Sequence, residues 1–138
     1  MDSIRIKRLD PRAVLPKRAH PEDAGMDLHL LESVEIPAGG GIRVRTGIAM
    51  EIAVGFVGMV ADRSSLAAKG LKTAGGIIDA GYRGEIHIVL RNLTTESVRL
   101  EAGDRVAQLL ILPVALPVIQ EVAELSETSR ASGGFGST

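Results

Sequence analysis

Five short stretches of the chain alternate hydrophobic and polar residues, so that every second side chain is apolar. Period-two alternation predicts β-strands that bury one face. Sequences rich in glycine, proline or asparagine separate these stretches and predict turns. This spacing of strands and turns predicts an all-β sandwich or barrel. The alternating stretches are residues 4–7, 34–36, 42–45, 86–88 and 98–100.

Three other segments depart from the alternating pattern. Residues 64–69 predict one short helix, which Ser64 or Ser65 would cap and Gly70 would end. Residues 109–119 are apolar throughout, so we expect them to lie between two layers or beneath another subunit. Residues 126–138 are small, polar and glycine-rich, which predicts a mobile tail after a domain of residues 1–125.

Composition excludes several classes of function. The 138 residues fit one domain, and 16 Lys and Arg against 17 Asp and Glu lack the basic excess that binds nucleic-acid polymers. Cysteine is absent, which excludes disulfides, thiolate metal sites and cysteine nucleophiles. No apolar run reaches the roughly 18 residues that cross a membrane, and no signal-peptide core is present. We therefore expect a cytoplasmic protein that does not bind membranes.

Two segments have residue types that suit phosphate chemistry. Arg63 and the two serines that follow stand at the predicted helix start, where free N–H groups and the helix dipole favour an anion. The alternative is an ordinary capped helix with a surface arginine. Asp79 ends an apolar stretch and precedes a glycine-containing turn, so it is either a general base or a hairpin residue.

Metal-binding signals are weaker. The histidines His20, His29 and His87 have no metal-ligand spacing. Asp27 could reach a hard cation through water, although an aspartate beside a glycine is also a common turn residue. None of these signals decides a function by itself.

Taken in order, five segments resemble the motifs of the trimeric deoxyuridine triphosphatases (dUTPases). They are residues 24–28, 62–67, 76–85, 103–109 and 130–138. The resemblance implies a jelly-roll-like β-barrel or sandwich, assembled as a homotrimer whose active sites are shared between subunits. It also implies hydrolysis of dUTP to dUMP and pyrophosphate, which keeps uracil out of DNA and supplies dUMP for thymidylate synthesis.

The same resemblance assigns roles at the phosphate end of the substrate. Asp79 is the expected general base for water that attacks the α-phosphate, and Asp27 would orient Mg²⁺ through water. The phosphate ligands that it implies are Arg63, Ser64, Ser65 and Gln108.

Recognition of base and sugar is expected near Asp79. By the resemblance, Tyr82 packs on the deoxyribose and excludes a 2′-hydroxyl. A hairpin of residues 71–78 would recognise uracil through its backbone. His87 on the following strand either contacts the base or is a solvated strand histidine. The substrate-binding residues expected here are Gly76, Ile77, Ile78, Tyr82 and His87.

The family resemblance also assigns a role to the C-terminal tail within the trimer. Residues 126–138 would form a flexible arm from a third subunit, with Arg130 on the γ-phosphate and Phe135 over the uracil. Asp62 departs from the family, which often has proline there, and its charge would weaken triphosphate binding unless the side chain points away.

Two alternative functions are compatible with the same fold. A dCTP deaminase-type enzyme shares several motifs but needs a glutamate base beside the cytosine. A nucleotide-sensing regulatory module would bind dUTP and signal to a protein partner, and it would have no need of the complete set of catalytic residues.

Overall fold

The computed structural model describes residues 2–136, which fold into eleven strands and one short helix. The first strands are β1 (Arg5–Arg8), β2 (Met26–His29), β3 (Val34–Ile36), β4 (Gly41–Arg45), β5 (Ile48–Glu51) and β6 (Phe56–Ala61). Then come α1 (Ser64–Ala67), β7 (Leu71–Ala74), β8 (Ile77–Ile78), β9 (His87–Asn92), β10 (Val98–Leu100) and β11 (Arg105–Pro113). The predicted all-β fold with one short helix is confirmed.

The strands form two larger sheets and two isolated pairs, and every pairing is antiparallel. A four-stranded sheet has the order β2-β11-β6-β8, and a three-stranded sheet has the order β4-β9-β7. Strand β1 pairs with β5, and β3 pairs with β10. Most neighbours in the sheets are distant in sequence, so residues from widely separated motifs are brought side by side.

One hydrophobic core lies between these sheets. Strand β9 shows how the sequence builds it, because Ile88 and Leu90 point inward while His87, Val89 and Arg91 point outward. The alternation matches the two-residue period of a strand with one buried face. The core side chains that are almost completely buried are Leu28, Ile36, Val44, Ile48, Ile86, Ile88, Leu90, Val106 and Leu109.

The five alternating stretches all lie on strands, although some bounds shift. Strands β3 and β10 begin and end where the pattern predicts, whereas β9 begins one residue later and continues to Asn92. The strands that alternation misses include β5, whose burial pattern is nearly continuous. A strand covered on both faces has no reason to alternate.

The helix is shorter than predicted. It spans Ser64–Ala67, and Gly70 ends the following turn with a φ of +86°. Arg63 holds the N-cap position without a side-chain hydrogen bond, so the expectation that Ser64 or Ser65 caps the helix is wrong. Both serine side chains are exposed, which leaves their hydroxyls accessible to a ligand.

The apolar stretch 109–119 divides into two parts. Its first part belongs to β11, which lies between β2 and β6 and buries Leu109. Beyond Pro113 the chain leaves the sheet, and Leu116, Val118 and Ile119 are 69%, 94% and 96% exposed. In residues 2–136, the one helix is too short and too polar to cross a membrane.

The expected hairpin of residues 71–78 is not a paired hairpin. Strand β7 pairs with β9 in the three-stranded sheet, whereas β8 pairs with β6 in the four-stranded sheet. Gly75 and Gly76, at φ values of +74° and +107°, carry the chain from one sheet to the other. Positive φ angles suit glycine, so this crossing explains the glycine pair.

Candidate active site

Three neighbouring strands bring three of the sequence motifs together. Gln108 on β11 lies opposite Asp27 on β2 and opposite Ala61, the last residue of β6. The Nε2 of Gln108 donates a hydrogen bond to the main-chain oxygen of Asp62, at 2.8 Å. This register places Asp27, Gln108 and the start of α1 close together, at the end of β6.

Arginine side chains surround the Asp27 carboxylate. The Nε of Arg63 lies 3.3 Å from one carboxylate oxygen, and Nη1 of Arg105 lies 3.6 Å from the other. Arg63 also donates to the main-chain oxygen of Arg105, at 3.1 Å. The Asp27 side chain is 18% exposed, so the ion pairs are partly shielded from water. We call Asp27, Arg63, Arg105 and Gln108 the phosphate cluster.

The role of Arg105 could not be found from the sequence. It stands at the predicted turn into a strand, where an arginine is ordinarily solvated. Only the pairing of Arg105 with His29 across β11 and β2 reveals that its side chain reaches Asp27. Burial lowers the pKa of His29 on the same strand, and the neighbouring Asp27 charge opposes that effect.

Asp62 does not present its charge to the phosphate cluster. Its carboxylate accepts hydrogen bonds from Nζ of Lys72 at 2.8 Å and from the amide and hydroxyl of Thr73 at 2.6 and 2.7 Å. Burial opposes ionisation, but these hydrogen bonds outweigh it and hold the pKa of Asp62 at about 2. The side chain therefore points away from the expected triphosphate, toward β7.

A second group of predicted residues surrounds a cavity of about 210 Å³. Asp79 follows β8 and lines one wall of this cavity. The main-chain amide of Tyr82 donates a hydrogen bond to the main-chain oxygen of Asp79 at 3.0 Å, which forms a tight turn. The Tyr82 hydroxyl donates to the main-chain oxygen of Glu85, at 2.9 Å. The lining residues are Val60, Gly76, Ile77, Ile78, Asp79, Tyr82, Glu85, Ile86 and His87. We call this space the base cavity.

Backbone hydrogen bonds fix the shape of the base cavity. The amide of Val60 donates to the Gly76 oxygen at 2.8 Å, which holds the sheet-crossing segment against β6. A Cβ on Gly76 would lie 3.0 Å from the Val60 main-chain oxygen. Only glycine allows this close approach at a positive φ. Gly76 therefore fixes the position of this wall of the base cavity, which Ile77 and Ile78 continue.

Glu85 organises the opposite wall, and sequence reasoning did not single it out. Its carboxylate lies 2.9 Å from Nη2 of Arg45 and 3.3 Å from Nε2 of His87. The hydrogen bonds from Arg45 lower the pKa of Glu85, outweighing the opposing effect of burial. Because Arg45 and His87 are opposite each other on β4 and β9, one carboxylate contacts both side chains.

Within this chain, Asp79 and Arg63 lie toward opposite ends of β6, and between them Val60 of the base cavity pairs with Leu109, next to Gln108. Ile78 lies opposite Gly58, and Arg63 follows the far end of the same strand. At about 3.3 Å per residue, the position opposite Ile78 and the end of β6 at Ala61 are roughly 10 Å apart, and Asp79 and Arg63 lie beyond opposite ends of that interval. A nucleotide that touches both residues in the same copy of the chain would have to span that distance.

The described part of the arm touches neither group. Phe135 is fully exposed, and Nε of Arg130 donates to the main-chain oxygen of Gly133 within the arm, at 2.7 Å. Ser137 and Thr138, which complete the fifth motif, lie outside the described residues. Because the resemblance assigns the arm to a site on another subunit, the roles of Arg130 and Phe135 stay predictions.

The residues present suit a cation whose ligands are mostly water and substrate oxygens. Among residues 2–136, no three acidic or histidine side chains cluster closely enough to hold a metal ion. Asp27 offers one partly buried carboxylate beside an anion-binding arginine pair. Mg²⁺ keeps several waters and binds through one or two carboxylates plus substrate phosphates, which agrees with this donor set.

Known proteins resemble this chain over its whole length. The family model for dUTPase matches residues 12–138. The deoxyuridine 5'-triphosphate nucleotidohydrolase of Rhodococcus erythropolis is 47% identical over 140 residues, covering 99% of this chain and 85% of that protein. The enzyme of the same name from Thermobifida fusca is 48% identical over 139 residues, covering 98% of this chain and 78% of the relative.

Solved structures show the same fold. The dUTPase of Staphylococcus bacteriophage 80alpha with dUpNHpp superposes with a TM-score of 0.96 at 30% identity, covering 100% of this chain and 99% of that one. A variant dUTPase from phage phi11 of Staphylococcus aureus, which coordinates a structural Mg(II) ion, has a TM-score of 0.86 at 26% identity. It covers 91% of this chain and 100% of its own. The chain belongs to the dUTPase family.

Proposed function

We propose that this protein hydrolyses dUTP to dUMP and pyrophosphate, with Asp79 as the general base. The activity is that of a dUTP diphosphatase, the enzyme named in its curated relatives. The observation that carries the assignment of residues is the base cavity, which Asp79, Tyr82 and residues 76–78 line together. A nucleotide whose base and sugar are bound there would have its α-phosphate next to the Asp79 carboxylate.

The chemistry requires one activated water. The Asp79 carboxylate accepts a hydrogen bond from the water and takes its proton as the oxygen attacks the α-phosphorus. The bond between that phosphorus and the oxygen bridging to the β-phosphate breaks, and pyrophosphate leaves. No covalent intermediate is needed, so positioning and charge stabilisation supply the catalysis.

The phosphate chain is bound by the phosphate cluster and the start of α1. Arg63, with the exposed hydroxyls of Ser64 and Ser65, would contact the phosphate oxygens, and Gln108 would reach the chain or the attacking water. Asp27 would hold Mg²⁺ through its waters. The ion, when bound, neutralises charge on the phosphate oxygens.

Base and sugar recognition are assigned to the base cavity. Main-chain groups of Gly76, Ile77 and Ile78 would pair with the uracil edge, and the ring of Tyr82 would pack on the deoxyribose. His87, held beside Glu85 at 3.3 Å, would form part of the wall next to the base. A backbone wall of fixed shape discriminates by exclusion, so a thymine methyl or a 2′-hydroxyl would clash.

A complete site needs more than one subunit. The separation of Asp79 from Arg63 within the chain, by about five strand residues or more, supports a homotrimer in which one subunit supplies the phosphate cluster and another the base cavity. The arm of a third subunit would then close over the nucleotide with Arg130 and Phe135. Burial of the exposed Val118 and Ile119 side chains in such an assembly would remove apolar surface from water.

The activity is tested by offering dUTP, dCTP, dTTP and UTP in parallel with Mg²⁺ and separating the products by chromatography. We expect dUTP alone to be converted, to dUMP and pyrophosphate. Asp79→Asn should lower kcat by at least about 100-fold while binding of dUpNHpp is kept, because the amide cannot accept the proton. Ammonia release from dCTP, or binding of dUTP without turnover in the wild-type protein, would overturn the proposal.

A further inference from the structure

Asp62 joins the two larger sheets at the start of the phosphate-binding segment. It follows β6 of the four-stranded sheet, and its carboxylate reaches Lys72 and Thr73 on β7, the edge strand of the three-stranded sheet. The Thr73 amide donates to Asp62 at 2.6 Å. An aspartate side chain therefore satisfies an outward-facing edge N–H that has no neighbouring strand to receive it.

The main chain of the same residue makes the opposite connection. The Asp62 carbonyl accepts the 2.8 Å hydrogen bond from Nε2 of Gln108 on β11. Asp62 is thus held from both sides, by β7 through its carboxylate and by β11 through its carbonyl. The next residue in the chain is Arg63, whose guanidinium contacts Asp27 at 3.3 Å.

The Asp62 carboxylate accepts hydrogen bonds that its negative charge strengthens. Lys72 supplies a charge-assisted hydrogen bond at 2.8 Å, and Thr73 supplies two more from its amide and hydroxyl. The Asp62 side chain is 25% exposed, so water competes with these bonds only in part. The segment that begins α1 is accordingly anchored by three hydrogen bonds before the helix starts.

We propose that Asp62 is a positioning residue for the triphosphate, which aims Arg63 and Gln108 at the phosphate chain by fixing the start of α1 to β7. The inference rests on the proposed function and extends it to a residue that contacts no substrate. Without the anchor, Arg63 and the carbonyl that orients Gln108 shift together. Displacements of about 1 Å are costly in a site that works by positioning.

Two ligands, dUMP and dUpNHpp, distinguish a positioning role from a merely structural one. The nucleotide dUMP has only the α-phosphate, whereas dUpNHpp keeps the whole triphosphate chain. Loss of the Asp62 anchor should weaken binding of dUpNHpp and leave binding of dUMP unchanged, because the Gly76 wall of the base cavity is held by a separate hydrogen bond, from the Val60 amide. A merely structural role would weaken both ligands equally.

The experiment compares Asp62→Ala, Asp62→Asn and the control Glu101→Ala by calorimetric titration with dUMP and with dUpNHpp. We expect Asp62→Ala to raise the Kd of dUpNHpp about tenfold, the effect of losing roughly one net hydrogen bond, and to raise the KM of dUTP similarly. Asp62→Asn should recover most of the affinity, since its amide oxygen still accepts from Thr73. Glu101, an exposed carboxylate bonded to Ser33 and Arg99, serves as a matched control.

Lys72→Gln keeps the proposal testable if Asp62→Ala does not fold. It removes the charge-assisted hydrogen bond of Lys72, at an exposed side chain, keeps the two from Thr73, and should raise the Kd of dUpNHpp about two- to threefold. Equal weakening of dUMP and dUpNHpp, or no change in either ligand, would overturn the positioning role. Absence of dUTP hydrolysis by the wild-type protein would instead overturn the proposed function, so the two failures are distinguishable.

Discussion

At the scale of single residues, the phosphate cluster depends on how closely the backbone packs around Gln108. Gly25 precedes β2, and a Cβ at this position would overlap with Oε1 of Gln108. The amide nitrogen of the same side chain is held by the Asp62 carbonyl. Glycine at position 25 is therefore required by the orientation of a neighbouring side chain, since its own φ is not in the left-handed region.

We expect Gly25→Ala to lower kcat/KM about tenfold to 100-fold with little loss of stability, because the flexible Gln108 side chain can move aside but then leaves its working position. Steady-state kinetics with dUTP and thermal unfolding measure the two effects. Combining Gly25→Ala with Gln108→Ala should add no further loss. Additive losses would show that the methyl group acts through something other than Gln108.

At the scale of elements, one buried side chain holds the end of β9 against two turns. Asn92 is completely buried, and its Nδ2 donates to the main-chain oxygens of Ile36, Pro37 and Glu96 at 3.0, 3.2 and 2.8 Å. Its Oδ1 accepts from the amide of Thr94 at 3.0 Å. These hydrogen bonds fix one end of β9. The other end of the same strand carries His87, which pairs with Arg45 beside Glu85.

Asn92→Ala should lower the free energy of unfolding by about 2–4 kcal/mol, because it leaves several buried carbonyls and an amide without their partner. Urea unfolding at a fixed protein concentration measures the change. Ser97→Ala is the control, since the Ser97 hydroxyl bonds to Glu35 at an exposed position and its removal should cost less than about 0.5 kcal/mol. A loss below 1 kcal/mol for Asn92→Ala would contradict the anchoring role.

At the scale of the whole molecule, the fold separates the residues that the proposed reaction needs together. Strand β6 lies between β11 and β8, with the phosphate cluster at one end and Asp79 beside the other. Both groups are preformed and partly exposed, and the proposed reaction uses residues from both. An assembly that places the base cavity of one copy against the phosphate cluster of another would remove the separation without refolding either group.

Mixed assemblies test this arrangement directly. Asp79→Asn and Arg63→Gln should each be inactive alone, but subunits mixed in equal amounts and refolded together should regain about a quarter of wild-type activity, since that fraction of sites combines an intact residue from each chain. A mixture of Asp79→Asn with Asp79→Ala is the matched control and should stay inactive. Failure of the first mixture to recover activity would place both residues of each site in the same chain.

The sequence alone determined the strands that cover one face of the core, the short helix and the residue types for phosphate chemistry. These features are local: a side-chain period of two specifies one buried face, and a motif specifies its own chemistry. Strand β5 escaped prediction because both of its faces are covered. The supposed hairpin of residues 71–78 was wrong because no local signal tells a strand which sheet it joins.

The tertiary structure alone decided which of these residues meet. The pairing of β11 with both β2 and β6 brought Arg105 to Asp27 and Gln108 to Asp62, although those pairs are far apart in the chain. It also turned the Asp62 charge toward β7, and it placed Glu85 between Arg45 and His87. Contacts between distant segments depend on sheet order and register, which the whole core sets cooperatively and no single segment contains.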